Sequence, residues 1–529
     1  MKISNPILKG FNPDPSICKD GDDYYITTST FEWFPGVQIH HSKDLANWTL
    51  VKRPLERLSQ INMLGNRDSG GVWAPCLTKE DGKFWLIYSD VKQFGGGYQD
   101  VHNYLVTADR ITGEWSDPIF LNSSGFDPSL FHDEDGRKYV VNMIWDHRSG
   151  NNFFYGIQMQ EYSVEKEKLV GAKNIIFKGT NLAFTEGPHI YKKGDYYYLM
   201  TAEGGTGYEH AVTVARAKEL WGPYEVHPEN PILTSWNNPE LMLQKAGHAS
   251  MIPITDELWA LVHLCSRPLE TRGDCPLGRE TALQAVVWKE DWPYLKGGVL
   301  PKDIVSDFDL PEVMIDSKIV GHDDFEEKTM NIHFQSLRVP IAENASLSER
   351  ESHLRLYGRE SLCSEFIQAH LARRWQSFYF TAQTKVEFHP ESFQQSAGLT
   401  MYYNTANWFF LSITGDEEMG RIIQLSHLTG GKDYKDYLSQ DKIAVPADVD
   451  YVYLKADVKS DKMMFSYSFD GSNYSEIQQE FYTGQLSDDY MNKINAPNGF
   501  IGAFVGMACI DASGERIPAD FDFFEYIEL

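Results

Sequence analysis

The chain has 529 residues, of which 42% are hydrophobic and 13% are aromatic, and its formal net charge at pH 7 is −27. This length predicts two or three domains with packed cores. The acidic balance, without a run of Lys or Arg, argues against nucleic acid and anionic membrane surfaces as partners and suits a neutral ligand better.

The N-terminal stretch MKISNPILKGFNPDPS lacks the apolar segment of a secretory signal, and no segment approaches the length of a membrane-spanning helix. The six cysteines are scattered and show no metal-ligand spacing. We therefore expect a cytoplasmic protein with reduced cysteines.

Five short apolar runs, rich in aromatic and β-branched residues, recur along the first half of the chain. Each follows a turn such as KDGDD or DEDGR, which is typical of a hairpin between strands. The runs are YYITTS at 24–29, FWLIYS at 84–89, YVVNMI at 139–144, YYYLMT at 196–201 and LWALVHL at 258–264.

A second phrase precedes each run, and its successive starts are 60, 53, 60 and 61 residues apart. Four of the five phrases carry Pro in the same column, which indicates the first residue or the free edge of a strand because Pro cannot donate to a β-ladder. The phrases are Asp14-Pro15-Ser16-Ile17, Ala74-Pro75-Cys76-Leu77, Asp127-Pro128-Ser129-Leu130, Gly187-Pro188-His189-Ile190 and His248-Ala249-Ser250-Met251.

Further strand-like phrases follow the hairpins, among them VQIHHSKDLANW at 37–48, YLVTADRITGEW at 104–115 and VTVARAKELW at 212–221. Each unit then supplies about four short strands and no convincing helix, and such units arranged radially form a β-propeller. The sequence therefore predicts an all-β protein whose residues 1–310 form a five-bladed β-propeller.

The innermost strand of each blade lines the central channel, so the residue before each Pro should face the axis. Any single Asp before Pro is more often a turn former than a catalyst. Two Asp-Pro-Ser phrases and one Glu-Gly-Pro phrase in one repeat column nevertheless favour a site. The residues that would converge are Asp14, Ala74, Asp127, Gly187 and His248, with Trp73 and Glu186 beside them.

Two carboxyl groups with separated pKa values are what cleavage of a glycosidic bond requires, one as base or nucleophile and the other as proton donor. Aromatic side chains suit a sugar because they pack on its apolar faces. The glycine clusters at 95–97 and 204–207 do not open a helix after a strand, so they are interpreted as loops near the site and not as dinucleotide fingerprints.

Together the phrases NPDPSI, WAPCL, GFDPSLF, TEGPHI and KAGHASM resemble, in this order and spacing, family 43 of the glycoside hydrolases and especially its two-domain β-xylosidases. The resemblance implies a five-bladed propeller, inversion at the anomeric carbon and three catalytic acids. Asp14 resembles the general base, Glu186 the general acid, and Asp127 the residue that tunes the pKa of that acid and orients it. Inversion places base and acid about 6.5–9.5 Å apart, which leaves room for a water between Asp14 and the anomeric carbon of the sugar.

The same resemblance nominates residues for substrate binding. Arg279 in LGRETALQ resembles an arginine that hydrogen-bonds the non-reducing sugar, Trp73 and Phe31 resemble pocket walls, and Trp145 would serve the leaving-group side. Core packing is an open alternative for Phe31 and Trp145. His248 resembles the family's axial histidine, either as a neutral buried side chain or near a divalent cation such as calcium.

The repeat ends near residue 310, and the acidic segment that follows predicts a linker over 311–321. From 322 to 529 apolar and polar residues alternate between hairpin turns at Asn404–Asn407 and Asp470-Gly471, which predicts a β-sandwich. It resembles the concanavalin-like C-terminal domain of these xylosidases, which lends one aromatic to the pocket. GAFVGMACID matches that stretch and nominates Phe504.

The resemblance implies an exo-acting β-D-xylosidase that releases xylose from the non-reducing ends of β-1,4-xylo-oligosaccharides. It further implies α-L-arabinofuranosidase side activity, no required cofactor and a homo-oligomer, either dimer or tetramer. The alternatives are arabinofuranosidase as the main activity, a retaining five-bladed fructosidase and a non-catalytic carbohydrate-binding protein. The fructosidase would carry an Asn-Asp-Pro-Asn-type phrase, whereas this chain has Asn12-Pro13-Asp14-Pro15.

Overall fold

A computed structural model describes residues 2–311, 321–430, 442–494 and 499–529. Within these ranges nearly all regular structure is β-strand, and the single α-helix is the short segment Asp488–Lys493. Among the described helices none is long and apolar enough to cross a membrane. All six cysteines are free, and only Cys363 among them is exposed.

Five antiparallel sheets within residues 16–295 confirm the predicted propeller blades, and in each blade every strand pairs with the next along the chain. The apolar runs form the second strands, as their composition predicts. Blade one comprises Ser16–Asp20, Asp23–Thr28, Gln38–Ser42 and Thr49–Lys52; blade two Gly71–Glu80, Lys83–Gln93, Asp100–Ala108 and Ile119–Asn122; blade three Ser129–His132, Lys138–Trp145, Phe154–Ser163 and Lys168–Phe177. Blade four comprises Glu186–Lys193, Tyr196–Glu203, Ala211–Ala217 and Glu225–Val226, with Leu233–Thr234 as an extra strand, and blade five Gln244–Pro253, Leu258–Ser266, Glu280–Lys289 and Trp292–Leu295.

The proline column lies where the inner strands have a free edge. In blades one and three the strand begins at Ser16 and Ser129, directly after the proline. In blades two and four the strand contains Pro75 and Pro188, and the pairing with the second strand shifts register across each of them. Such a bulge accommodates proline because the ladder has no hydrogen bond to lose at that point.

The N-terminal segment joins the first blade to the last. Ile3–Ser4 pairs antiparallel with Ile304–Val305, and Leu8 bridges to Thr281 in blade five. The buried Asn5 side chain donates to the carbonyl oxygen of Leu283 at 2.9 Å. These bonds tie the two ends of the propeller together, so the ring does not depend on packing alone.

The C-terminal half forms two sheets that face each other across a large apolar core, which confirms the predicted sandwich. The predicted hairpins at Asn404–Asn407 and Asp470-Gly471 connect paired strands. One sheet contains, in spatial order, Ala345–Ser346, Leu354–Tyr357, Pro518–Glu528, Tyr379–Glu387, Tyr451–Lys459, Lys462–Ser468 and Ser475–Tyr482, with His322–Asp323 beside Pro518–Glu528. The other contains Ile443–Ala444, Gly420–Thr429, Asn407–Asp416, Gln395–Asn404, Phe504–Asp511, Ala369–Arg374, Gln335–Leu337 and Trp33–Phe34.

The last of these strands comes from the propeller half of the sequence. Trp33–Phe34 leaves blade one and pairs antiparallel with Gln335–Leu337 at the edge of the sandwich sheet. Trp33 is fully buried there. The two domains therefore share a sheet, which the domain limits predicted from sequence do not include. The predicted linker 311–321 lies outside the described residues except for its two end positions, and it stays a prediction.

A polar cluster at the domain interface includes a buried carboxyl group that lacks hydrogen-bond partners. Arg338 of the sandwich donates to Asp68 of the propeller at 2.8 Å and to the backbone oxygen of Asn66 at 2.7 Å. Both carboxyl oxygens of Glu32 lack a partner among the described residues. Burial, followed by the charge of Asp68, raises the pKa of Glu32 to about 8.

This raised pKa predicts a pH dependence of stability. Because the folded-state pKa of Glu32 exceeds its unfolded value, its contribution is fully present below the unfolded pKa and is lost as pH rises toward 8. We expect Glu32→Gln to flatten the decline in unfolding free energy between pH 5.5 and pH 8 by about 1–3 kcal/mol, since one pKa unit corresponds to about 1.4 kcal/mol. Denaturant titrations at the two pH values measure the slope.

Glu343→Gln, a substitution at an exposed position on the sandwich, is the control for this experiment. Its slope should equal that of the unmodified protein. If Glu32→Gln shows that same slope, Glu32 ionises freely in the folded state and the interpretation of the cluster is wrong.

Candidate active site

The repeat column predicted to face the propeller axis has one backbone conformation in all five blades. Asp14, Ala74, Asp127, Gly187 and His248 have φ values of 53°, 37°, 55°, 55° and 40°. This left-handed conformation costs a residue with a Cβ about 1–2 kcal/mol. It is paired with register shifts in the inner strands of blades two, four and five. The bend lies before the inner strand in blades one and three and within it in blades two, four and five, and at such positions bulges re-aim side chains.

Gly187 is the one member of this column that needs to be glycine for two reasons. Its φ is positive, and a Cβ added there would lie 3.0 Å from Cε1 of His248. The glycine therefore lets the imidazole of blade five approach blade four closely. The acidic side chain of that blade is supplied one residue earlier, by Glu186.

The bend brings the three predicted acids to one cavity of about 710 Å³. Its walls also contain every substrate-binding residue predicted from sequence except Phe504. The lining consists of Asp14, Phe31, Arg67, Trp73, Phe94, Gly95, Gln99, Phe126, Asp127, Trp145, Phe154, Phe184, Glu186, Gly205, Thr206, His248, Arg279 and Phe500.

Asp14 is held as a hydrogen-bond acceptor on both carboxylate oxygens. Arg279 donates from Nη1 to Oδ1 at 2.9 Å, and Ser29 donates from Oγ to Oδ2 at 2.7 Å. The Ser29 hydroxyl in turn accepts the backbone N–H of Ala74 at 2.7 Å. A carboxylate that receives a guanidinium and a hydroxyl is stabilised in its charged form, as a general base requires.

Glu186 has the opposite electrostatic environment. Burial, then the charges of Asp127 and Asp14, raise the pKa of Glu186 well above its ordinary value. Burial raises the pKa of Asp127 to about 6; the Asp14 charge adds to this rise, and His248 and the Gly187 N–H oppose it. The Gly187 N–H donates to Asp127 Oδ2 at 3.0 Å. The larger rise at Glu186 favours its protonated form over that of Asp127, which separates the roles of the acids.

His248 lies between the acids and has little freedom. Its Nδ1 is 3.9 Å from Asp14 Oδ1, and its ring lies against Gly187. Both oxygens of Asp14 already accept from Arg279 and Ser29. Among the described residues, no group of three or more His, Cys, Asp or Glu side chains is arranged to hold a metal ion. The two alternatives for His248, a neutral buried side chain and a position near a divalent cation, both stay predictions.

Arg279 contacts both Asp14 and Phe500, the residue that the sandwich contributes to the cavity wall. Its Nη2 donates to the backbone oxygen of Phe500 at 2.7 Å, and its guanidinium lies 5.2 Å from the centre of the Phe31 ring. Its Nε has no hydrogen-bond partner among the described residues.

Trp73 is the centre of the aromatic wall. Its ring centroid lies 5.8 Å from that of Phe31, 5.1 Å from Phe94, 5.5 Å from Phe126 and 5.9 Å from Phe500. These contacts fix an apolar surface beside the acids, as a sugar ring requires.

Trp145 lies on the glycine-loop side of the cavity. Its indole N–H donates to the backbone oxygen of Gly97 at 2.9 Å. Gly95 and Gly205 line the same cavity, which confirms that both glycine clusters are loops at the site.

The aromatic nominated from the sandwich needs a correction. Phe504 begins the strand Phe504–Asp511, is fully buried, and stacks on Trp33 with ring centroids 3.8 Å apart. Phe500 lines the cavity instead, and its backbone N–H donates to Ser69 Oγ at 2.9 Å. The sandwich does supply an aromatic, but from the segment before the strand, where the chain is free to reach the propeller.

Several other lining residues were not found by sequence reasoning. Phe126 directly precedes Asp127, so its place in the repeat column could have signalled it. Of the rest, Phe154 begins the strand Phe154–Ser163, Thr206 belongs to the predicted loop 204–207, and the others lie in loops that carry no pattern. These others are Arg67, Phe94, Gln99 and Phe184.

A five-bladed propeller with a buried, charge-separated trio of acids and an aromatic wall defines a glycoside hydrolase site. The model for glycosyl hydrolases family 43 matches residues 3–293, and the model for the beta xylosidase C-terminal concanavalin A-like domain matches residues 322–527. This chain therefore belongs to glycoside hydrolase family 43.

Individual relatives extend this similarity over the whole chain. The Beta-xylosidase of Bacillus subtilis (strain 168) is 55% identical over 537 residues, covering 100% of both chains. The Non-reducing end alpha-L-arabinofuranosidase BoGH43B of Bacteroides ovatus is 34% identical, covering 99% of this chain and 94% of the relative. The crystal structure of xylan beta-1,4-xylosidase from Bacillus halodurans C-125 has a TM-score of 0.96 at 50% identity, covering 99% and 100% of the two chains.

The electrostatic pairing of Asp127 with Glu186 predicts the pH profile of the enzyme. Asp127→Asn removes a charge that raises the pKa of Glu186, so the basic limb of the kcat/KM profile should move to lower pH. At neutral pH we expect kcat/KM to fall on the order of 10²-fold, within the contribution of a positioned acid. The measurement is a pH–rate profile on an unactivated glycoside.

Asp109→Asn, at an exposed position in blade two, provides a matched control that should leave the profile unchanged. A basic limb at the same pH in Asp127→Asn would contradict the assignment of Asp127 as the residue that tunes Glu186.

Proposed function

We propose that this protein is an exo-acting, inverting β-D-xylosidase that releases xylose from the non-reducing ends of β-1,4-xylo-oligosaccharides, with α-L-arabinofuranosidase side activity. One observation carries the proposal. Three buried carboxyl groups share one cavity, where Arg279 donates a hydrogen bond to Asp14 and burial raises the pKa of Glu186 well above its ordinary value. This is the charge distribution that acid–base cleavage of a glycoside needs.

We expect a single-displacement mechanism. Asp14 deprotonates a water that attacks the anomeric carbon, while Glu186 protonates the departing glycosidic oxygen. Asp127, fixed by the Gly187 N–H, keeps the proton on Glu186 until transfer. The bond from water oxygen to the anomeric carbon forms as the glycosidic bond breaks, and the configuration inverts.

The sandwich supports exo action. Phe500 lines the cavity, and its backbone oxygen accepts from Arg279, so one wall is formed by the second domain. A pocket limited in this way accepts a chain end and not the interior of a polymer. The names of the similar proteins from Bacillus subtilis and Bacteroides ovatus agree with cleavage of β-xylosides or of arabinofuranosides at the non-reducing end.

Other parts of the proposal rest on sequence and chemistry alone. The chain would act in the cytoplasm, as a dimer or tetramer, on oligosaccharides small enough to enter the cavity. The reaction as drawn needs only protein side chains and water, so no cofactor is required. Calcium near His248 is the competing possibility, which a chelator tests below.

Arabinofuranosidase as the main activity is the second candidate, because the 34% identical Bacteroides ovatus relative carries that name. Initial rates on xylobiose and on an aryl α-L-arabinofuranoside, each with and without EDTA, discriminate between them. We expect kcat/KM at least 10-fold higher on xylobiose, no effect of the chelator, and α-xylose as the first anomer seen by NMR. A higher rate on the arabinofuranoside would overturn xylosidase as the main activity. Loss of activity with EDTA would overturn the absence of a required metal, and release of β-xylose first would overturn inversion.

A non-catalytic sugar-binding protein would not need the Glu186 proton. We expect Glu186→Gln to reduce kcat on xylobiose by about 10²–10⁴-fold, the range for a general acid. Aryl xylosides with strongly acidic leaving groups should lose much less, because their departure needs little protonation. Xylobiose affinity, measured by calorimetry, should change little.

Glu257→Gln, at an exposed turn in blade five, is the control for this series and should retain full activity on both substrates. If kcat of Glu186→Gln falls equally on activated and unactivated substrates, Glu186 is not the proton donor.

A further inference from the structure

A second cavity of about 410 Å³ lies between the propeller and the sandwich. The N-terminal segment, blade one and the sandwich strand Ala369–Arg374 form it, and no described residue lines both this cavity and the active-site cavity. We call it the interdomain cavity. Its rim includes the exposed residues Lys9 and Glu528, so it opens to solvent.

Three buried arginines form the floor of the interdomain cavity. Arg53, Arg373 and Arg374 are 6%, 4% and 6% exposed. The bonds they donate go to uncharged oxygens and not to a carboxylate. Arg53 donates to Gln38 and to the backbone oxygens of Ile332 and Phe334, Arg373 to Gln376, and Arg374 to Gln335 and the backbone oxygen of Phe11.

Each of these guanidinium groups also retains a donor without a partner. Nε of Arg53, Nε of Arg373 and Nη2 of Arg374 are buried and make no hydrogen bond to the described residues. The same holds for Nδ1 of His40, which also lines the cavity. Leaving buried donors of charged groups unpaired is unfavourable, and here three guanidinium donors of this kind belong to residues that line one cavity.

The charges around the cavity are unbalanced. Burial, then the charge of Arg53, lowers the pKa of Arg374, and burial followed by neighbouring arginines lowers the pKa of His40 and His333 to about 3. Both histidines are therefore neutral at pH 7, while the guanidinium groups stay charged. Lys9 adds a fourth cation, and Glu528 is the one carboxylate among the described lining residues. This concentration of positive charge contrasts with the chain's net charge of −27.

We propose that the interdomain cavity binds a phosphate group, carried either by inorganic phosphate or by a phosphorylated sugar. Converging guanidinium groups with free N–H donors match the charge and the several acceptor oxygens of a phosphate. The cavity is larger than a single inorganic ion needs, and Pro6, Ile7 and Trp48 give it an apolar side against which a sugar ring would pack.

The bound phosphate would act as a link between the domains. Arg53 belongs to the propeller, and Arg373 and Arg374 belong to the sandwich, so one anion would contact both. A ligand that binds the folded protein in preference to the unfolded chain stabilises it in proportion to the logarithm of its concentration. The site therefore predicts a saturable stabilisation that ordinary salt does not reproduce.

The test uses the full chain in a phosphate-free buffer, and each salt is titrated over the same range of ionic strength. Inorganic phosphate, glucose 6-phosphate, glucose and additional chloride are titrated separately, with calorimetry and the thermal unfolding midpoint as readouts. We expect one phosphate compound bound per chain, with a saturable rise in the midpoint, and no effect of glucose or chloride. Tighter binding of glucose 6-phosphate identifies an organic ligand, and equal or tighter binding of inorganic phosphate identifies the free ion.

Variants locate the site. Arg373→Gln should weaken phosphate binding at least 10-fold, and Lys9→Gln, at the exposed rim, should weaken it about threefold without risk to folding. Lys83→Gln removes a comparable charge from the exposed first residue of the second strand of blade two and should bind normally. Absence of binding to the unmodified protein, equal stabilisation by chloride, or unchanged affinity in both cavity variants would each overturn the proposal.

Discussion

The left-handed bend just before or within each inner strand is the constraint on which the site depends. It occurs at Asp14, Ala74, Asp127, Gly187 and His248, once in every blade. Four of these residues carry a Cβ and accept an unfavourable backbone conformation, which persists only when the surrounding sheets determine it. The ring of blades fixes this backbone conformation, so the fold holds side chains from distant parts of the chain in one small volume.

The three acids tolerate burial in that volume because each carboxyl group has its own way of limiting charge repulsion. Arg279 compensates Asp14 directly, and the Gly187 N–H compensates Asp127. Glu186 avoids the remaining repulsion by keeping its proton. The same arrangement that limits the electrostatic cost of burial therefore assigns the chemical roles, with one carboxyl suited to accept a proton and another suited to donate one.

Local patterns predict this protein well, and contacts between distant segments limit the prediction. The Pro column and the hairpin turns indicate five blades, because each depends on the conformational preferences of a few adjacent residues. The nomination of Phe504 was wrong because alternation places a residue in a strand but does not reveal where the chain before that strand reaches the other domain. Phe500, four residues earlier, has no local signal that distinguishes it.

Nonlocal pairing also explains what no motif reveals. The sequence places Trp33–Phe34 within blade one, whereas in the folded protein it lies at the edge of the sandwich sheet. The arginines of the interdomain cavity come from position 53 and from the adjacent positions 373 and 374 in the other half of the chain, and each alone resembles an ordinary surface cation. A sequence pattern does not show that two domains bury these arginines together.

The shared sheet has a consequence for how this enzyme can be divided. A propeller produced without its C-terminal half would leave the Trp33 indole and the backbone groups of Trp33–Phe34 uncovered, close to the Phe31 wall of the catalytic cavity. Such an exposed edge invites association with other chains. Recombination that exchanges the C-terminal half of this protein for an unrelated module would therefore have to replace a strand partner as well as a covering surface, which ties the evolutionary history of the two halves together.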